Sequence, residues 1–144
     1  MINWMYYPKD DISVQVVKAF ESVSTQINSF DNQLRSDDVL STVRPKLEAL
    51  GFIVEKSKKG EDLVAVPVLY GMNGKIEKSF EADGYLQSAG YVIEVEAGRA
   101  VVNYQFLKDF FEACLMVNVD KLCIAVRNVY NKSNDFDKVI FLKP

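Results

Sequence analysis

The segment Tyr91-Val92-Ile93-Glu94-Val95-Glu96-Ala97 carries two acids two residues apart. It alternates as a strand does, and alternate residues of a strand share a face. Glu94 and Glu96 therefore point the same way, with Cα atoms roughly 6.5 Å apart. Ile93 and Val95 point the other way, into a core. Upstream, Asp83 closes a second alternating stretch, 75–83, which a turn around Gly90 joins to the first. A hairpin of the two strands sets Asp83 beside Glu94. Three carboxylates at the end of a hairpin make a hard, oxygen-rich site suited to Mg²⁺. Such an ion polarises a phosphate oxygen and activates water for in-line attack on phosphorus. The ordinary explanation of a Glu-x-Glu strand is a solvated face, and the pattern alone is too short to be specific. Its setting weighs the other way. The strand reads as central and leads into the most apolar helix of the chain, where an unpaired charge is costly.

The remaining residue inventory narrows the chemistry. The chain of 144 residues contains no histidine. That removes Ser-His-Asp triads, Cys-His pairs, His-ligated zinc and histidine bases together. Two cysteines cannot build a four-thiolate zinc site, and Cys114 and Cys123 read as buried thiols. Neither a Walker loop nor Gly-x-Gly-x-x-Gly is present. Catalysis is left to carboxylates, lysines, tyrosines or an oxygen-held metal. The net charge of −3 argues against a broad cationic surface but not a local one. Residues 44–78 hold seven basic and five acidic side chains and form the basic part of the chain. Lys56, Lys58 and Lys59 cluster there at a turn ending in Gly60, either as a solvated hairpin tip or as a phosphate contact.

The elements that must position these residues follow from periodicity. Apolar residues at Val14, Val17, Phe20, Val23, Ile27 and Phe30 predict an amphipathic helix over 11–30, with Pro8, Asp10 and Asp11 at its start. Val39, Leu40, Val43, Leu47 and Leu50 predict a second helix, capped by Ser36, kinked at Pro45 and closed by Gly51. Strands are expected at 52–55, 63–70, 75–83 and 91–97, joined as an antiparallel meander, with Pro67 marking an edge or bulge. Residues 100–116 should form the most buried helix. Leu122–Val126 reads as a strand covered on both faces and parallel to 91–97. A short final strand or docked tail is expected at 139–142. Together these predict one α/β domain over 1–144, with a mixed central sheet flanked by helices. No apolar run is long enough to span a bilayer, and the first ten residues do not read as a signal peptide, so a cytoplasmic location is the default expectation.

The order Asp83, ten residues, Glu94-Val95-Glu96, apolar helix, apolar strand resembles the PD-(D/E)XK nuclease superfamily, the restriction endonuclease-like fold. It is similar to the type II restriction enzymes that carry a third acid in place of the usual lysine. The likeness covers roughly residues 36–127. It implies a Mg²⁺-dependent endonuclease acting on DNA, with Mn²⁺ as a substitute ion. Asp83 and Glu94 are then metal ligands, and Glu96 stands at the third catalytic position. Helix 36–50 matches the helix that precedes the family's sheet, which makes Glu48 a candidate further ligand. Ala82 stands where the family's proline usually does. Arg99 and Asn103 follow the strand near the rim, where phosphate contact and helix capping are both open, and Lys78 is out of phase with Asp83. Trp4, Tyr6 and Tyr7 suit packing on the domain or on a partner chain better than base stacking. A homodimer is expected from this aromatic N-terminus, from helix 11–30 and from the family's use of two copies to cut two strands. Two alternatives stay open. One is a catalytically inactive relative that binds nucleic acid or protein through the same surface. The other is a structural module with no ligand site.

Overall fold

The computed structural model describes residues 2–6, 9–98, 100, 102–130 and 133–134. Helix α1 spans Asp11–Ser22 and α2 Ser24–Ile27. The single helix expected over 11–30 is thus two, because Val23 leaves helical geometry (φ −115°, ψ 13°). Asp10 caps α1: its carboxylate accepts the Ser13 N–H at 2.8 Å. The buried stripe is Ser13, Val16, Ala19 and Phe20. Val14 and Val17 flank it half-buried, and Phe30, beyond the helices, is exposed.

Helix α3, Ser36–Ala49, runs unbroken through Pro45. The hydrogen bond that proline forfeits lies on the exposed side of the helix, where Ser41 and Pro45 both meet solvent. Ser36 is the first helical residue rather than the cap; the Asp38 carboxylate instead accepts the Arg35 N–H. The Ser36 hydroxyl accepts the Ala97 N–H at 2.9 Å. That bond ties the start of α3 to the end of the acid-bearing strand. Gly51 closes the helix at φ +96°, as expected.

Strands β1 (Ile53–Val54), β4 (Gly84–Leu86), β5 (Tyr91–Glu96) and β6 (Lys121–Val126) form a four-stranded mixed sheet in the order β1-β4-β5-β6. The contacts β1–β4 and β4–β5 are antiparallel, and β5–β6 is parallel, with α4 (Gln105–Leu115) as the crossover. The parallel unit agrees with the sequence reading. The partner of β5 does not. The stretch expected to pair with it, 75–83, forms β3 (Ile76–Ala82) and pairs with β2 (Val64–Tyr70) in a separate two-stranded sheet. The chain changes sheet at Asp83, so the three residues after it enter the central sheet, where a turn had been expected. The β2–β3 register slips between Pro67 and Tyr70, as a proline within a strand predicts. A short hairpin of β7 (Val129–Tyr130) and β8 (Ser133–Asn134) follows β6. The strand expected at 139–142 lies outside the described residues.

One face of the central sheet packs Val54, Leu86, Ile93 and Val95 against α1 and α3. The other packs Val92 with Ala113 of α4, Met116, and Val66 and Ala82 of the second sheet. Helix α4 is less buried than its composition predicts: Phe110, Phe111 and Leu115 are exposed. Cys114 is exposed as well, whereas burial pushes the Cys123 thiol up to about 12. Ile93 is fully buried at the centre of the sheet. Ile93→Ala is expected to cost about 3 kcal/mol in urea unfolding. Gly90 turns β4 into β5 at φ +57°, and a Cβ there would lie 2.6 Å from the Asn118 carbonyl oxygen. Its own carbonyl accepts the N–H groups of Asp120 and Lys121 at the start of β6.

Candidate functional site

The register of the central sheet assembles the acids. Val54 lies opposite Gly84, and Gly84 opposite Ile93. One residue further along, the Glu55 N–H donates to the Asp83 carbonyl at 2.8 Å. Glu55 and Asp83, one residue past the ends of β1 and β4, therefore stand in a row with Glu94 of β5, and all three line one pocket, on the face from which Glu94 projects. Glu96 follows two residues beyond Glu94. This is the face that α4 covers. A pocket of about 280 Å³ opens there, into which the strand ends bring Glu55, Glu81, Asp83, Glu94 and Glu96. Helix α4 contributes Lys108, Asp109 and Glu112, and the start of α3 contributes Ser36 and Asp37.

Lys58, from the loop after β1, reaches back into this cluster. Its Nζ lies 2.6 Å from Glu55 Oε1 and 3.6 Å from Asp83 Oδ1. Asp83 Oδ2 accepts the Val95 N–H at 2.8 Å. The Glu55 side chain is almost fully buried, while Lys58 keeps most of its length in solvent. Desolvation raises the Glu55 carboxyl, opposed by the Lys58 ammonium. Asp83 is likewise raised by desolvation and held back by the Val95 N–H and Lys58. Glu94 has no such counterweight. Burial, then the charges of Asp83, Asp109 and Glu96, push it up to about 9. Burial and Asp109 push Glu96 up to about 7. Acids so crowded favour a proton or a cation among them.

The sequence-derived candidates separate on this geometry. Asp83, Glu94 and Glu96 line one pocket. Glu48 is exposed on α3 and does not line it; it sits near the C-terminal end of that helix, and the end that reaches the pocket is the N-terminal one. Of the three lysines expected at a hairpin tip, Lys58 turns into the acids, while Lys56 and Lys59 are exposed on the same loop. Asn103 is exposed at φ +56° in the turn before α4. Arg99 lies outside the described residues. Glu55 and Asp109 were not anticipated. The signal for Asp109 was present: it shares the buried stripe of α4 with Phe106 and Ala113.

Lys58→Met is expected to lower metal-free stability at neutral pH by about 1–2 kcal/mol, since it strips a buried carboxylate of its partner. Lys58→Arg should restore most of the loss, measured by urea unfolding.

The donor set fits Mg²⁺ in chemical kind, being carboxylate oxygen throughout. Among the described residues no three acids or cysteines are already drawn into a metal-ligating arrangement. Mg²⁺ is commonly held by one or two carboxylates, with water and phosphate oxygens completing its shell, so a full protein cage is not required. No helix among the described residues is long and apolar enough to cross a membrane. Comparisons with family models, with curated proteins and with solved structures return no match for the chain.

Proposed function

We propose that the chain is a Mg²⁺-dependent endonuclease-like protein that hydrolyses DNA phosphodiester bonds on a restriction endonuclease-like fold. The observation that carries this reading is the row of Glu55, Asp83 and Glu94 at the ends of β1 and β4 and on β5, open to a pocket and flanked by the Lys58 ammonium. Asp83 and Glu94, with Glu55 beside them, would hold the ion. Once bound, it would supply positive charge to a phosphate oxygen and acidify a water.

The chain's own residues supply the rest. Lys58 places a cation at the acids although the third position on β5 is Glu96, not lysine. Glu96, raised into the neutral range, suits proton transfer at physiological pH. Exposed Lys56 and Lys59 stand on the Lys58 loop, where they suit contacts to backbone phosphates. Cutting both strands of a duplex calls for two active centres, which fits a homodimer. Trp4, Met5, Phe30 and Phe110, all exposed apolar residues lining one shared cavity, support self-association.

Supercoiled plasmid with millimolar Mg²⁺ tests the reading. Nicking by the wild type, lost at least 100-fold in Glu94→Gln, is the expected result. Plasmid binding without cleavage in either protein would favour the inactive, nucleic-acid-binding relative instead. Light scattering is expected to give twice the chain mass.

A further inference from the structure

We propose that the outer edge of β6 is the docking site of the chain's own C-terminal segment, residues 137–142, which adds there as the next strand of the central sheet. The site is separate from the acid pocket and does not rest on the proposed function. β6 ends the sheet: β5 lies on one side of it and no described strand on the other. The N–H and C=O groups that such an edge turns outward are an open template for a further strand. Every residue of β6 is half-buried, although Val92 and Ile93 of neighbouring β5 are fully buried. A cavity of about 640 Å³ is lined by all six residues of β6, with Val17 and Phe20 of α1 on one face and Phe110 and Ala113 of α4 on the other. A space that reaches both faces of an edge strand has the shape of a missing strand.

The register of the hairpin after β6 names the occupant. Val129 lies opposite Asn134 and Tyr130 opposite Ser133, so the chain returns antiparallel just beyond the end of β6. Carried past the bend at Asn128, the same register sets Asp137 beside Val126, Val139 beside Ile124, Phe141 beside Leu122 and Leu142 beside Lys121. The six residues 137–142 thus match the six of β6. Residues 135–144 lie outside the described residues, but their sequence fits the edge. Cross-strand neighbours share a face. Val139 and Phe141 would join Ile124 and Leu122 on the α4 face, where Phe110 is exposed. Ile140 would join Cys123 on the face that packs against α1. The run Val139-Ile140-Phe141-Leu142 is apolar at every position, as suits a strand covered on both faces. Trp4 and Phe30, at the exposed rim of the cavity, are left for the second copy proposed above.

Hydrogen exchange of the intact chain, read by mass spectrometry over residues 121–126, tests this with the wild type and Val139→Asp. The wild type is expected to protect the β6 amides that face away from β5. Val139→Asp should exchange them roughly tenfold faster, while the amides of β5 stay protected in both. Phe141→Ala gives the same reading where Val139→Asp unfolds the whole chain. Fast exchange of these amides in the wild type would overturn the docking. Protection that neither substitution loosens would give the edge to another occupant and overturn it as well. Protection that depends on Val139 but disappears on dilution would make the occupant the segment of a second copy, and would overturn docking within one chain.

Discussion

Millimolar Mn²⁺ is expected to raise the melting temperature of the wild-type chain by roughly 8 °C and to leave Asp83→Asn and Glu94→Gln unmoved. The size follows from mass action. An ion at about 100 times its dissociation constant stabilises the native state by about 2.7 kcal/mol, and each kcal/mol shifts the melting point of a chain this size by about 3 °C. The direction follows from the row of acids. Glu55 and Asp83 share one ammonium, Lys58, and Glu94 is pushed up by burial first and then by further acids. A divalent ion removes that repulsion in the native state and finds no assembled site in the unfolded chain. Without metal at neutral pH, Glu94→Gln should change stability little, because a carboxyl raised to about 9 already keeps its proton there, whereas Asp83→Asn should lower it, because the Lys58 ammonium loses a partner. Differential scanning fluorimetry with Mn²⁺ and with chelator reads both effects. A wild-type curve indifferent to Mn²⁺ would remove the chemical basis of the site.

In chelator, stability is expected to fall as pH rises from about 5 to about 9. An acid whose native pKa exceeds its unfolded value keeps its proton longer in the folded chain. Glu94 moves from 4.5 to about 9 and Glu96 from 4.5 to about 7, burial being the largest cause in each case. Between those limits the native state binds more protons than the unfolded one, so the slope of stability with pH is negative. Their contribution is fully present below about pH 4.5; both groups lose it together between about 4.5 and 7, and Glu94 alone continues to lose it up to about 9. Allowing for the partial exposure of both groups, the fall should be on the order of 2–3 kcal/mol. Glu94→Gln should flatten the part above pH 7 and lessen the slope below it, whereas Glu96→Gln should lessen only the slope below pH 7. Urea unfolding at pH 5, 7 and 9 measures this. A wild-type profile that rises over this range, or one unchanged in Glu94→Gln, would show that the acids are not crowded as described.

The acid pattern was legible because strand alternation is local. Glu94 and Glu96 share a face for the reason that any i and i+2 pair on a strand does, and the apolar run 122–126 announced the parallel partner. What failed was non-local. Residues 75–83 read as one strand followed by a turn, and no local signal marks Asp83 as the point where the chain leaves one sheet for another. That exchange decides which strands flank β5. It brings β1 beside β4, and with β1 come Glu55 and the loop bearing Lys58. Lys58 looked like a surface charge because its sequence neighbours, Lys56 and Lys59, are surface charges. Glu48 was expected in the site because its helix was, but a helix of 14 residues spans about 21 Å, and only its first turn meets the pocket. Asp109 was hidden in an apolar helix whose composition suggested uniform burial. Its spacing of three from Phe106 and four from Ala113 was the clue to the buried stripe.

The most direct measurement is a crystal of the wild-type chain soaked in Mn²⁺ and recorded at the manganese absorption edge. An anomalous peak is expected between the Asp83 and Glu94 carboxylates, with oxygens at roughly 2.1 Å, near the usual Mg²⁺–oxygen distance. No anomalous density in the pocket under saturating Mn²⁺, with Asp83 and Glu94 turned from one another, would contradict the assignment of these acids as a metal-dependent hydrolytic centre.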